Sequence, residues 1–208
     1  FDHCTEIVRQ IKPQAIVFLG DIQTPYPFHE QLADIINLTE VWWIHGNHDT
    51  DTEQQYDNLF FSALELRNLS GRVSHVAGVR IAGMGGVFRG KIWDPAKPGW
   101  NFYSPEAFIT GGGFRASWRN GVNLRHRSTI FPSEYEALLK EKADVLVTHE
   151  APSCNRFGFQ VLDELARHLG VHTHFHGHHH DNYDYSAHYA RMGFRTYSVG
   201  YRGVTALD

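Results

Sequence analysis

Apolar and polar positions alternate along this chain with two different periods. Residues 2–12 (DHCTEIVRQIK) have a helical stripe of Ile7, Val8 and Ile11, and Pro13 ends it. Residues 15–19 (AIVFL) are a continuous apolar run that enters Gly20-Asp21, the pattern of a buried strand leading into a loop. Helical segments are predicted at 28–37, 53–66, 132–142 and 160–169, with Pro132 in the first turn of the third. Strands are predicted at 41–45 (VWWIH), 72–76, 79–82, 144–148 (DVLVT), 172–176, 184–189 and 194–199. No internal repeat or low-complexity linker interrupts the order. Strand and helix alternate early, which predicts an α/β layered fold. The closely spaced later strands predict hairpins, hence a mixed sheet.

Composition sets limits on this picture. The chain has 208 residues, 42% hydrophobic and 20% charged, with a formal net charge of -4. That suits one globular domain over residues 1–208 and excludes a disordered chain. Cys4 and Cys154 are the only cysteines, too few for a disulfide framework. With no secretory signal pattern at the start, they predict a reducing, cytoplasmic setting. No apolar run is long enough to cross a bilayer. The chain begins at Phe1 rather than Met, so sequence upstream of it is expected.

Histidine is the outlier. There are 15, and eight of them lie between His168 and His188. Neutral imidazole is the commonest protein metal ligand. Polar residues also fall just beyond apolar strands. Gly20-Asp21 follows 15–19, Gly46-Asn47-His48-Asp49 follows 41–45, His149-Glu150 follows 144–148, and Gly177-His178-His179-His180 follows 172–176. Open α/β sheets bind ligands at such strand ends. A carboxylate, an amide oxygen and several imidazoles suit Mn, Fe, Zn, Co or Ni.

The ordered set GD, GNHD, TH and GHHH resembles the calcineurin-like metallophosphoesterase superfamily, whose signature is D-x-H, GD, GNH[DE], H and GHxH. The resemblance spans residues 15–180. It implies a four-layer αββα sandwich of two mixed sheets, with two divalent or trivalent metal ions at strand ends. Asp21 would be the bridging carboxylate. Asn47, His149 and His178 would complete one metal site, and His180 would bind the other ion. His48 would be the acid or charge stabiliser beside the leaving group, with Asp49 orienting it. A hydroxide made from metal-bound water would attack phosphorus in line. GNHD rather than GNHE leans toward phosphodiesterases and small-molecule phosphatases, and away from protein phosphatases.

One motif is missing: no Asp has a His two positions later. In the family D-x-H ends the first strand, just before the helix that here spans 2–12. The expectation is that this strand lies upstream of Phe1. Without it the fold would be a weakly active or non-catalytic metal-binding module. A metallo-β-lactamase-like site needs H-x-H-x-D-H, which the run His174-Phe175-His176-Gly177-His178-His179 does not supply.

Residues 85–131 carry seven basic side chains (Arg89, Lys91, Lys97, Arg115, Arg119, Arg125 and Arg127) against Asp94 and Glu106, a net of +5. Six of the segment's aromatic residues are Trp93, Trp100, Phe102, Tyr103, Phe114 and Trp118. The segment is expected to be a cap or substrate-facing insertion, with Arg89, Arg115 and Arg119 as candidate substrate contacts. The expected guest is a small anionic phosphoester or nucleotide. The negative overall charge argues against long nucleic acid. Among the other histidines, His45 and His176 are candidates for a place behind the metal ligands. His179 is expected not to ligate, and His126 to be structural. Cys154 is expected to be a small buried hydrophobe.

Overall fold

The computed structural model describes residues 1–207. In chain order the main elements are α1 (Asp2–Ile11), β1 (Ala15–Leu19), α2 (Phe28–Gln31), β2 (Glu40–Ile44), α3 (Glu53–Phe60), β3 (Arg72–Val76) and β4 (Val79–Met84). There follow α4 (Pro105–Gly111), β5 (Ser117–Trp118), β6 (Gly121–Val122), α5 (Pro132–Leu138), β7 (Val145–Thr148), α6 (Gln160–Leu169), β8 (Thr173–His176), α7 (Tyr189–Met192) and β9 (Arg195–Ser198). Among the described residues no helix is long and apolar enough to cross a membrane.

Two sheets form the centre. β1 and β2 pair in parallel, with Ala15 opposite Glu40 and Leu19 opposite Ile44. The second sheet has the order β3-β4-β7-β8-β9. Its β3–β4 hairpin is antiparallel, and the other three pairings are parallel. β7 and β8 are buried along their whole length, as strands covered on both faces must be.

Side-chain alternation shows the layers. Trp43 packs outward against Val8, Phe28, Leu32, Ile35 and Leu59 of the helical face. Its neighbours Trp42 and Ile44 point the other way, into a core shared with Val145, Val147 and Phe175 of the second sheet. Leu146, between those two valines, faces the far side with Leu162, Leu165 and Leu169 of α6. The order is therefore helices, sheet, sheet, helices. Residues 85–131 join that outermost core through Ile92, Trp93, Phe108, Ala116 and Val122.

Some expected elements end early or change type. The helix expected over 28–37 stops at Gln31 and continues as tight turns, such as Ile35 N–H to Leu32 O at 2.9 Å. α3 stops at Phe60 rather than running to 66. There Ser62 Oγ donates to Leu59 O at 3.0 Å and accepts from Leu64 N–H at 3.2 Å, competing with the helical ladder. α5 covers 132–138, not 132–142. Residues 184–189 are not a strand. Asp184 Oδ1 accepts from Ser186 N–H at 2.9 Å, and this turn leads through a 3₁₀ segment into α7.

Candidate metal centre

Asp21 lies two residues past β1, Asn47 three past β2, His149 one past β7 and His178 two past β8. Hydrogen bonds tie the two sheets at this end: Gly86 N–H donates to His45 O at 2.7 Å, and His149 Nδ1–H to Leu19 O at 2.7 Å. Nδ1 is thereby spoken for, and Nε2 is the atom presented to the cleft. Around it stand His178 Nδ1 at 3.1 Å, Asn47 Oδ1 at 3.3 Å and Asp21 Oδ2 at 3.4 Å. Ligand atoms of Asp21, His149 and His178 all lie within 4.8 Å of one another. Four electron-rich atoms therefore converge. A single N–H on His149 satisfies one of the other three, whereas a cation satisfies all four. The donor set fits a divalent first-row metal.

The charges of Asp21 and His178 and the backbone agree with that reading, while a proton on His149 Nε2 competes with the cation. Burial alone would raise Asp21, but its contacts with the His149 ring and the His48 N–H hold it down to about 2. Burial disfavours a charged His149, yet the Asp21 carboxylate outweighs burial and raises its pKa. Burial and nearby imidazoles pull His178 down to about 4, which keeps its lone pair free. Asp21 and His178 also hold left-handed φ values of 51° and 67°. Such conformations are disfavoured for side-chain-bearing residues and cluster at functional sites.

The loop after β2 departs from expectation. His48 N–H donates to Asp21 Oδ1 at 2.8 Å, and the His48 ring projects outward, half exposed. Its Nδ1 pairs with Asp51 Oδ2 at 2.6 Å, so Asp51, not Asp49, orients it. The pair with Asp51 raises the His48 pKa. Asp49 is 1% exposed and accepts from Gln23 N–H and Gly46 N–H, both at 2.8 Å. It staples the loops bearing Asp21 and Asn47 and does not reach the His48 ring.

Other predicted residues take varied places. His180 lies outside the cluster: its backbone is left-handed at φ 57°, and its exposed ring sits 5.3 Å from Tyr201. Arg119 is committed to Glu53 and Asp57 of α3 and lies over Trp118, so it clamps the β5–β6 hairpin rather than facing the cleft. Arg115 is exposed and makes no ion pair among the described residues. Arg89 Nη1 donates to Ser128 O at 2.8 Å and Thr129 Oγ1 at 2.9 Å. His45 is buried behind the cluster with Nδ1 3.1 Å from Ser70 Oγ. Burial, with the charges of His149 and Arg89, pulls it down to about 3. His176 shares the His174 face of β8, opposite Phe175 and the intersheet core, and its buried ring lies 3.3 Å from Gly177 O through Nδ1. His179 stands outside the donor set, and Cys154 is half-buried against the core around α6.

Glu150 adds a pH-dependent element. It is 5% exposed, and its Oε1 accepts from Phe88 N–H at 3.1 Å. Burial pushes its pKa up to about 7, against the pull of Phe88 N–H, His149 and Arg89. An acid whose folded pKa lies above its unfolded value binds its proton more tightly when folded. Its contribution is complete below the unfolded value of 4.5 and is lost as pH rises to about 7. That loss is about 3 kcal/mol. Glu150→Gln keeps an acceptor for Phe88 and is expected to abolish this fall. Urea denaturation in chelator at pH 5 and pH 8 measures it, and equal pH slopes in the two proteins would refute the assignment.

The calcineurin-like phosphoesterase profile matches residues 1–182. An uncharacterised protein of Haemophilus influenzae is 40% identical over 209 residues, covering 100% of this chain and 89% of its own length. The crystal structure of TT1561 of Thermus thermophilus superposes with a TM-score of 0.56 at 13% identity, covering 96% of this chain and 82% of that one. That likeness shows the same α/β sandwich. With two sheets bringing Asp21, Asn47, His149 and His178 together at their strand ends, and a family match over most of its length, the chain belongs to the calcineurin-like phosphoesterase family.

Proposed function

We propose that the protein is a metal-dependent hydrolase of small anionic phosphoesters, nucleotides included. The observation that carries this reading is the convergence of four donor atoms with too few protons among them to satisfy all four. Asp21, Asn47, His149 and His178 would hold the ion, and Mn, Fe, Zn, Co and Ni all suit these donors. A bound cation supplies a water-derived nucleophile near neutral pH and offsets phosphoryl charge. The chain's own residues do the rest. Asp51 fixes Nδ1 of His48, which leaves Nε2 as the proton donor to the departing oxygen. Asp21 accepts the His48 N–H and so ties the His48 backbone to a residue that would hold the ion.

A second ion needs donors beyond this set. Among the described residues β1 pairs only with β2, which leaves its other edge unpaired. A strand carrying D-x-H along that edge would supply them. The free Cys4 and Cys154 fit a cytoplasmic setting. A metal-binding module without turnover is the second reading, and it holds if no D-x-H supplies donors for a second ion.

The test uses p-nitrophenyl phosphate and bis-p-nitrophenyl phosphate with each of the five metals, beside metal binding by calorimetry. Metal-dependent turnover of one ester is expected, which also separates monoesterase from diesterase. Asn47→Ala and His178→Ala are expected to lower it by roughly 10²-fold or more. Full metal-dependent activity in either variant would refute the site. Metal binding with no turnover would favour the second reading.

A further inference from the structure

The basic segment meets the turn that carries His48 through a pair of hydroxyl groups. Ser128 Oγ lies 2.7 Å from Thr50 Oγ1, and each residue closes a 3₁₀ turn, over Leu124–Ser128 and His48–Thr50. Ser128 is wholly buried and Thr50 is 3% exposed. Whichever hydroxyl donates, the other has a carbonyl for its own proton. Asn47 O is 3.5 Å from Thr50 Oγ1, and Arg125 O is 3.4 Å from Ser128 Oγ. The link therefore joins the two turns in either direction. Arg89 backs it: Nη1 donates to Ser128 O at 2.8 Å and to Thr129 Oγ1 at 2.9 Å, and Val87 N–H donates to the same Ser128 O at 2.9 Å.

The His48 turn is thereby held at both ends. His48 N–H donates to Asp21 Oδ1 at one end, and Thr50 Oγ1 meets Ser128 at the other. Asp51, the carboxylate that takes His48 Nδ1, is the next residue after Thr50. Two residues further on the same segment grips the chain again, where Arg119 donates to Glu53 Oε2 at 2.9 Å. Asp51 thus stands between two points fixed by residues 85–131. The His48 ring is itself half exposed, so its direction depends on Asp51.

We propose that Thr50 and Ser128 are positioning residues, an inference that rests on the hydrolase reading above. Their hydroxyl pair holds Asp51 where it keeps the His48 ring turned toward the departing oxygen. Segment 85–131 is then a brace for leaving-group protonation, with Ser128 as its point of contact.

The first readout is turnover of p-nitrophenyl and phenyl phosphoesters by the manganese-loaded protein. A p-nitrophenolate departs without a proton, whereas a phenolate gains more from one. Thr50→Val keeps the shape of the side chain and removes the hydroxyl. It is expected to lose roughly tenfold more kcat on the phenyl ester than on the p-nitrophenyl ester. Ser128→Ala is expected to do the same, the double variant to lose no more than either, and Thr50→Ser to restore the ratio. The second readout is amide hydrogen exchange by NMR in the metal-free protein. Exchange at His48 N–H is expected to quicken roughly tenfold in Thr50→Val, with the amides of β7 unchanged. Equal losses on the two esters, an unmoved His48 amide, or exchange that quickens as much in β7 overturns the brace. Wild-type turnover with none of these changes in the variants removes the brace alone. A quickened His48 amide in a protein that turns over neither ester removes the hydrolase reading and leaves the hold on the turn standing.

Discussion

Asp21→Asn is expected to lower metal-dependent phosphoester hydrolysis by roughly 10²–10³-fold while leaving the fold intact. The substitution is isosteric, and the Asn oxygen still accepts from His48 N–H, so the loop after β2 keeps its position. What disappears is the single negative charge among the four donors, the one held at about 2 and therefore ionised at any working pH. Losing a charged ligand removes several kcal/mol of cation stabilisation, and each 1.36 kcal/mol is about tenfold in rate. Binding linkage supplies a second readout. An ion at a hundred times its Kd adds about 2.7 kcal/mol of stability. In a chain of this size that shifts Tm by about 5–10 °C. Wild type is expected to show such a shift with manganese, and Asp21→Asn to lose most of it relative to its own metal-free Tm, which itself falls because the attraction between Asp21 and His149 is gone. A full metal-induced shift in the variant would remove Asp21 from the ligand set, whatever its activity.

How much of this was legible in the sequence differs by feature. β1, β2, β7 and β8 are apolar runs, and such runs look the same whichever strand they pair with, so β1 read as a buried strand although it is only half-buried along its length. Their polar termini, at Asp21, Asn47, His149 and His178, were legible for the same reason: the pattern changes abruptly where the strand leaves the core. The partner of His48 was not. Carboxylates stand one and three residues beyond it, and the choice belongs to the backbone. A 3₁₀ turn over His48–Thr50 eclipses residues three apart, so Asp51 meets the ring and Asp49 turns inward to Gln23 and Gly46. The acid at that spacing was a usable signal. Spacing alone also says nothing of the left-handed φ that His178 and His180 adopt. The bonds from Leu19 to His149 and from Thr50 to Ser128 span 130 and 78 residues, and no local pattern encodes them.

Gly46→Ala is expected to destabilise the protein by about 3 kcal/mol or more, because at this point the two metal-bearing loops touch through backbone. A Cβ added at Gly46 would land on Asp21 Oδ1 and Asp21 N, and 2.6 Å from His149 Cε1. Gly20 approaches the same point from the other loop at φ 91°, with Gly46 N 2.5 Å from where its own Cβ would stand. Nothing there is the far end of a flexible side chain. Asp21 is tied to His48 N–H, His149 to Leu19 O, and Gly46 N–H to Asp49 Oδ2, so relief requires moving the strand ends apart. The expected fall in Tm is about 6–12 °C. The manganese-induced shift is expected to vanish with it, since separating the strand ends separates Asp21 from His149. Gly90→Ala is the control: its Cβ would meet only Asp94 Cβ at 4.0 Å, and its stability is expected to change by less than about 0.5 kcal/mol. If Gly46→Ala melts with wild type and still binds manganese, the contact between the loops is not what assembles the donors. The convergence would then have to be held by the bonds that remain, among them His149 Nδ1–H to Leu19 O, Gly86 N–H to His45 O and the Thr50–Ser128 hydroxyl pair.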